Sequence, residues 1–74
     1  MLNKMIEAVE EGVEIYCTRP DGETGVSFFF HGGRLWITYF GTRLGTISME
    51  ELSWEDLPEL LQAEVEAKSS ILCL

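Results

Sequence analysis

The side chains able to do chemistry in this 74-residue chain are one histidine, two cysteines and thirteen carboxylates. His31 stands beside a glycine pair, and no serine or cysteine is placed near it by a nucleophile motif. Cys17 falls on the apolar side of an alternating stretch, where a buried thiol is inert. Cys17 and Cys73 are too few and too far apart to hold zinc without other ligands. They read as two free thiols of a reducing compartment, with a disulfide tying the tail to the sheet as the alternative. Gly41-Thr42-Arg43-Leu44-Gly45 is a glycine-containing connection without the lysine and spacing of a phosphate loop. The carboxylates are expected on helical surfaces rather than converging on a pocket, which chains this short rarely enclose. The expectation is therefore a protein that is not an enzyme and takes no metal and no cofactor.

The charge is informative instead. The chain carries a net −8, from 13 acidic and 5 basic residues. Binding to a phosphate backbone needs clustered Lys and Arg, so direct contact with nucleic acid is not expected. Membrane surfaces repel such a protein, and basic protein surfaces attract it. Residues 1–14 hold a net −3 and residues 48–74 a net −6, while the region between them holds +1. The terminal segments are thus acidic and the middle nearly neutral. Nothing at the N-terminus resembles a signal peptide and no stretch reaches the length of a membrane span, so a cytoplasmic protein is expected. The ending Ile71-Leu72-Cys73-Leu74 is not a prenylation box.

These groups must be positioned by a single domain spanning residues 1–74. Residues 2–11 place Leu2, Met5, Ile6 and Val9 on one helical face, and Gly12 follows as a helix stop. Residues 13–18 alternate as a half-buried strand. Arg19-Pro20-Asp21-Gly22-Glu23 has the chemistry of a turn. Residues 26–31 and 34–40 are strands joined by Gly32-Gly33, and residues 43–47 are a candidate fourth strand. Ser48-Met49-Glu50-Glu51 and Ser53-Trp54-Glu55-Asp56 resemble helix starts, which predicts one or two helical turns over residues 49–57. A helix then runs from Pro58 to about Ser69. The fold expected is α+β: an N-terminal helix, a three- to four-stranded antiparallel meander and a C-terminal helix (α-β-β-β-α), with the helices on one face of the sheet.

A two-residue turn sets the register of the central hairpin. His31 then faces Arg34, Phe30 faces Leu35, Phe29 faces Trp36, Phe28 faces Ile37, Ser27 faces Thr38 and Val26 faces Tyr39. One face collects Val26, Phe28, Phe30, Leu35, Ile37 and Tyr39 for the core. The other collects Ser27, Phe29, His31, Arg34, Trp36, Thr38 and Phe40. This mixed face is either a contact surface or is covered by residues 70–74 or the segment around Trp54. On the last helix, Glu64 and Lys68 fall inside the apolar arc at i, i+4 spacing. They are expected to pair where the helix overhangs the sheet into water.

The function expected is that of a small acidic binding protein. Its partner is a protein with a basic surface, one that otherwise holds nucleic acid, contacted through Glu50, Glu51, Glu55, Asp56 and Glu59 and through Phe29, Trp36 and Phe40. Phage-encoded inhibitors of bacterial defence, anti-CRISPR proteins among them, and immunity proteins of nuclease toxins share this size and charge, an analogy of composition with no motif behind it. The alternative is a structural or regulatory homodimer associating through the aromatic sheet face or a strand edge. A stacking platform for single-stranded nucleic acid built on the same aromatics is opposed by the charge.

Overall fold

The computed structural model describes residues 2–41 and 48–74. Helix α1 (Leu2–Glu10) leads into strands β1 (Ile15–Thr18), β2 (Thr24–His31), β3 (Arg34–Gly41) and β4 (Ser48–Glu51). Helix α2 (Leu57–Glu66) and strand β5 (Ser70–Cys73) complete the chain. The strands form one sheet in the order β4-β3-β2-β1-β5, and every neighbouring pair is antiparallel. The class is α+β as expected, but the sheet has five described strands and the order is α-β-β-β-β-α-β.

Two expectations change accordingly. The acidic stretch Ser48–Glu51 is a strand paired to β3, not the first turn of a helix. The tail Ser70–Cys73 pairs with β1 as an edge strand instead of folding over the mixed face. Both are cases of tertiary pairing overriding local propensity, since serine–glutamate spacing suits a helix cap wherever a helix can follow. The fourth strand expected over residues 43–47 lies outside the described residues.

The hairpin of β2 and β3 has the expected register at every position, from His31 opposite Arg34 to Val26 opposite Tyr39. Gly32 and Gly33 have φ of 62° and 77°. Two consecutive positive values make the type I′ turn whose twist matches a hairpin. The β1–β2 connection uses Pro20 and Gly22 as expected: the Gly22 N–H donates to the Arg19 carbonyl at 2.9 Å. Asp21 locks the turn, accepting from the Glu23 and Thr24 N–H groups and from the Thr24 hydroxyl. Those bonds favour the carboxylate and hold Asp21 below its ordinary pKa.

Each helix ends in a Schellman motif. After α1 the Val13 N–H reaches the Ala8 carbonyl and the Gly12 N–H reaches that of Val9. After α2 the Ser69 and Lys68 N–H groups reach Glu64 and Val65 in the same pattern. Lys68 takes the left-handed position, φ 59°, that glycine usually fills. The expected Glu64–Lys68 helical pair is therefore absent, because Lys68 lies past the end of α2.

All buried apolar side chains of the sheet share one register face: Ile15, Cys17, Val26, Phe28, Leu35 and Ile37. Met5 and Val9 from α1 and Leu57 and Leu61 from α2 close the core from the same side. The helix packing differs from expectation at Glu64. This residue does not overhang into water; it is 6% exposed and lies against the sheet. Its Oε1 stands 3.4 Å from Arg19 Nε, a charge pairing without hydrogen-bond geometry. The two side chains share a cavity of about 90 Å³ lined also by Val26, Phe28, Ile37, Tyr39 and Leu60. One carboxylate does reach a pocket, contrary to expectation. It does so because the last turns of α2 descend onto β1 and β2, and Arg19 at the end of β1 supplies the compensating charge.

Removing one partner of such a pair leaves the other charge in a poor environment, whereas replacing the acid with an apolar group does not. Arg19→Ala should lower unfolding stability by about 2 kcal/mol, below the cost for a fully buried pair because water reaches Arg19. Glu64→Leu should change it by less than about 1 kcal/mol in either direction. Urea denaturation of the two variants reads the asymmetry directly.

Candidate functional site

The second face of the sheet carries no helix among the described residues. Cross-strand partners share a face, so its occupants follow from the register. One row runs Glu51, Trp36, Phe29 from β4 to β2. The next runs Met49, Thr38, Ser27, Tyr16, Leu72 across all five strands. A third joins Phe40, Gly25, Thr18 and Ser70. Neither expected cover is present. The tail extends the sheet edgewise as β5. Trp54 packs against Phe30 at a tilt, on the helix side, with ring centroids 5.5 Å apart.

The aromatic groups are held by specific contacts. Trp36 Nε1 donates to the His31 carbonyl at 3.2 Å, which satisfies its polar edge and leans the indole toward the hairpin tip. The Phe40 ring lies over Gly25, its cross-strand partner, and a side chain there would meet that ring and the Cys17 carbonyl. Phe40 also meets Tyr16 with centroids 6.3 Å apart. Glu14 hydrogen-bonds Tyr16 and its charge opposes a phenolate, so the Tyr16 hydroxyl sits above its ordinary pKa. A shallow groove of about 370 Å³ runs between Phe40 and Tyr16 on one side and Leu72 and Leu74 on the other.

Of the residues named from sequence, Phe29, Trp36, Phe40 and Glu51 come together on this face. Glu51 lies opposite Trp36 and 3.6 Å from Arg34, linking the acidic edge to the aromatic row. Glu50 lies opposite Ile37, on the helix side of the same strand. Glu55 and Asp56 follow in the turn before α2, and Glu59 sits in its first turn, all exposed. The carboxylates thus line the β4 edge and pass round it onto the helix layer, instead of forming one helical face. Tyr16, Met49, Leu72 and Leu74 complete the site. Tyr16 was legible from its alternation in β1; the three others depend on pairings of β4 and β5 that no local pattern announces.

The nucleophile candidates are placed apart from this face. Cys17 is buried in the core and Cys73 is exposed, both as free thiols. Burial, with Glu64 nearby, pushes the Cys17 thiol up to about 11. His31 is exposed at the hairpin end. Among the described residues no three His, Cys, Asp or Glu side chains gather as a metal site, and no helix is long and apolar enough to cross a membrane. No protein-family model, curated protein or solved structure matches the chain.

Two outcomes follow. Brief alkylation at about pH 8, near the ordinary thiol range, should add a single adduct, on Cys73, by mass spectrometry. Gly25→Ala should destabilise the fold by about 2 kcal/mol in chemical denaturation, because both the β1 backbone and the Phe40 ring must move. A neutral Gly25→Ala would mean that Phe40 does not rest on that position.

Proposed function

We propose that this domain is a non-enzymatic binding protein that occupies a basic surface of a protein partner, one otherwise used to hold nucleic acid. The observation that carries the reading is the row Glu51, Trp36, Phe29 on the half-exposed face that carries no helix among the described residues. Aromatic side chains that are already ordered make strong contact anchors, since little freedom is lost when they are covered. Here they are ordered by the hairpin and by the Trp36 to His31 hydrogen bond. Of the carboxylates, Glu51 adjoins the anchor, and Glu50, Glu55, Asp56 and Glu59 continue from it round the β4 edge onto the helix layer, giving an apolar patch with acid along one side. A partner that fits has an apolar spot flanked on one side by Lys and Arg. The net charge of −8 steers encounter with such a surface. Once seated, the domain excludes a phosphate backbone from the same groups, and the activity is inhibition by occupancy.

The test is capture of partners from a bacterial lysate on the immobilised domain, with and without nuclease treatment, followed by elution across a salt series. Replacing the five carboxylates with amides should weaken capture and flatten its salt dependence. Trp36→Ala should weaken binding about 30-fold at constant salt, the value of one anchor worth about 2 kcal/mol. Capture that is indifferent to the amide substitutions at low and high salt alike would sink the reading. Far-ultraviolet circular dichroism on each variant separates lost binding from lost fold.

A further inference from the structure

The two outer strands of the sheet differ in kind. β4 bears Glu50 and Glu51, the charged side chains that keep an edge from pairing with another chain. β5 reads Ser70-Ile71-Leu72-Cys73, with no charge, no proline and no bulge among its pairings to β1. Leu72 is 55% exposed and Leu74 66%.

The hydrogen bonds show which backbone groups β5 still offers. Glu14 and Leu74 exchange both main-chain bonds, at 3.2 and 2.8 Å. Antiparallel pairs alternate, so Tyr16 with Leu72 and Thr18 with Ser70 are also bonded pairs. The N–H and C=O of Ile71 and Cys73 therefore point away from β1, toward the open edge. We propose that this edge is the interface of a homodimer, in which β5 of one copy pairs antiparallel with β5 of a second copy about a two-fold axis at Leu72.

The register follows from the same alternation. Partners in an antiparallel pair share a face, and only bonded pairs use the outward groups. With the axis on Leu72, Ile71 of each copy exchanges both bonds with Cys73 of the other, and all the outward groups of the strand are used. Moving the axis to Ile71 would require the Ser69 N–H, which already donates to the Glu64 carbonyl at 3.1 Å. Moving it to Cys73 leaves Ile71 without a partner inside the strand. At the Leu72 axis the two leucines meet across a non-bonded pair, where side chains approach most closely, and Leu74 meets Ser70 of the other copy. No charged residue of the strand enters the contact. The axis is perpendicular to the sheet, so both aromatic faces lie on the same side of one continuous sheet, with an acidic β4 edge at each end. The dimer presents two contact surfaces roughly 34 Å apart, seven strand spacings from one β3 to the other.

Sedimentation of the full chain from micromolar to millimolar concentration should show a shift from the 8.4 kDa monomer toward twice that mass. Leu72→Lys places two like charges on the axis and should return the protein to the monomer at all these concentrations, with its melting temperature little changed because Leu72 is already exposed. For the register, Leu72→Cys combined with Cys73→Ser should oxidise to a linked dimer, since the two Cα atoms lie about 4.5 Å apart in a non-bonded pair. Ser70→Cys combined with Cys73→Ser should not, because Ser70 faces Leu74. A wild-type chain that stays monomeric at millimolar concentration overturns the proposal. So does a dimer that survives Leu72→Lys, which would place the contact on the Trp36 face, and so does equal cross-linking of the two cysteine variants.

Discussion

The two-residue turn at Gly32-Gly33 sets the register on which everything else rests. A side chain on a strand alternates faces with a period of two residues, so a slip of one position would exchange the faces wholesale. Phe28 and Ile37 would then leave the core, and Trp36 and Phe29 would enter it. The turn prevents this because both central residues adopt positive φ, at 62° and 77°, which two adjacent glycines tolerate and most residues do not. From that one constraint follow a face apolar enough to hold both helices and a face on which aromatic and polar groups alternate.

The core side is then completed by side chains that the hairpin does not specify. Met5 and Val9, with Leu57 and Leu61, bring α1 and α2 onto the same cluster. The Schellman ends stop each helix and turn the chain back toward the sheet, so that β1 follows α1 and β5 follows α2. Glu64 is the exception in this otherwise apolar layer. A carboxylate there is compensated only because Arg19 closes the β1–β2 connection within 3.4 Å of it. Such a pair adds little net stability over an apolar contact. It does discriminate among ways of seating α2, since any seating that removed Arg19 would leave the acid without its counter-charge.

The legible parts were those governed by local rules. The first helix, the Pro20–Gly22 turn and the whole β2–β3 register follow from periodicity and turn chemistry within a few residues. The three aromatics of the open face were legible for the same reason. What could not be read depends on pairing between distant segments. Ser48 and Glu51 have the spacing of a helix start, and only β3 lying alongside makes them a strand. Leu72 and Leu74 belong to a stretch in which apolar residues stand on both faces, so alternation marks neither one. Glu64 fell in the apolar arc of its helix, and its partner Arg19 is separated from it in sequence by β2, β3 and β4.

Among the described residues the five-stranded sheet has two edges and one face without a helix, and the distribution of charge bears on what each can do. At β4 the carboxylates raise the cost of pairing with another strand, and in the proposed complex they attract basic groups to the adjacent Trp36 row. At β5 no charge opposes pairing, and the outward N–H and C=O groups of Ile71 and Cys73 are satisfied either by water or by another strand. Water satisfies them without covering Leu72; a strand does both. The same net charge that disfavours association of two copies in general therefore disfavours it least at β5, the edge strand without a charged side chain. If both proposed contacts form, salt, by screening the repulsion between copies, strengthens the one at β5 and weakens the one with a basic partner at β4. The two proposed contacts would then respond to ionic strength with opposite sign, which would give each its own signature in a single titration.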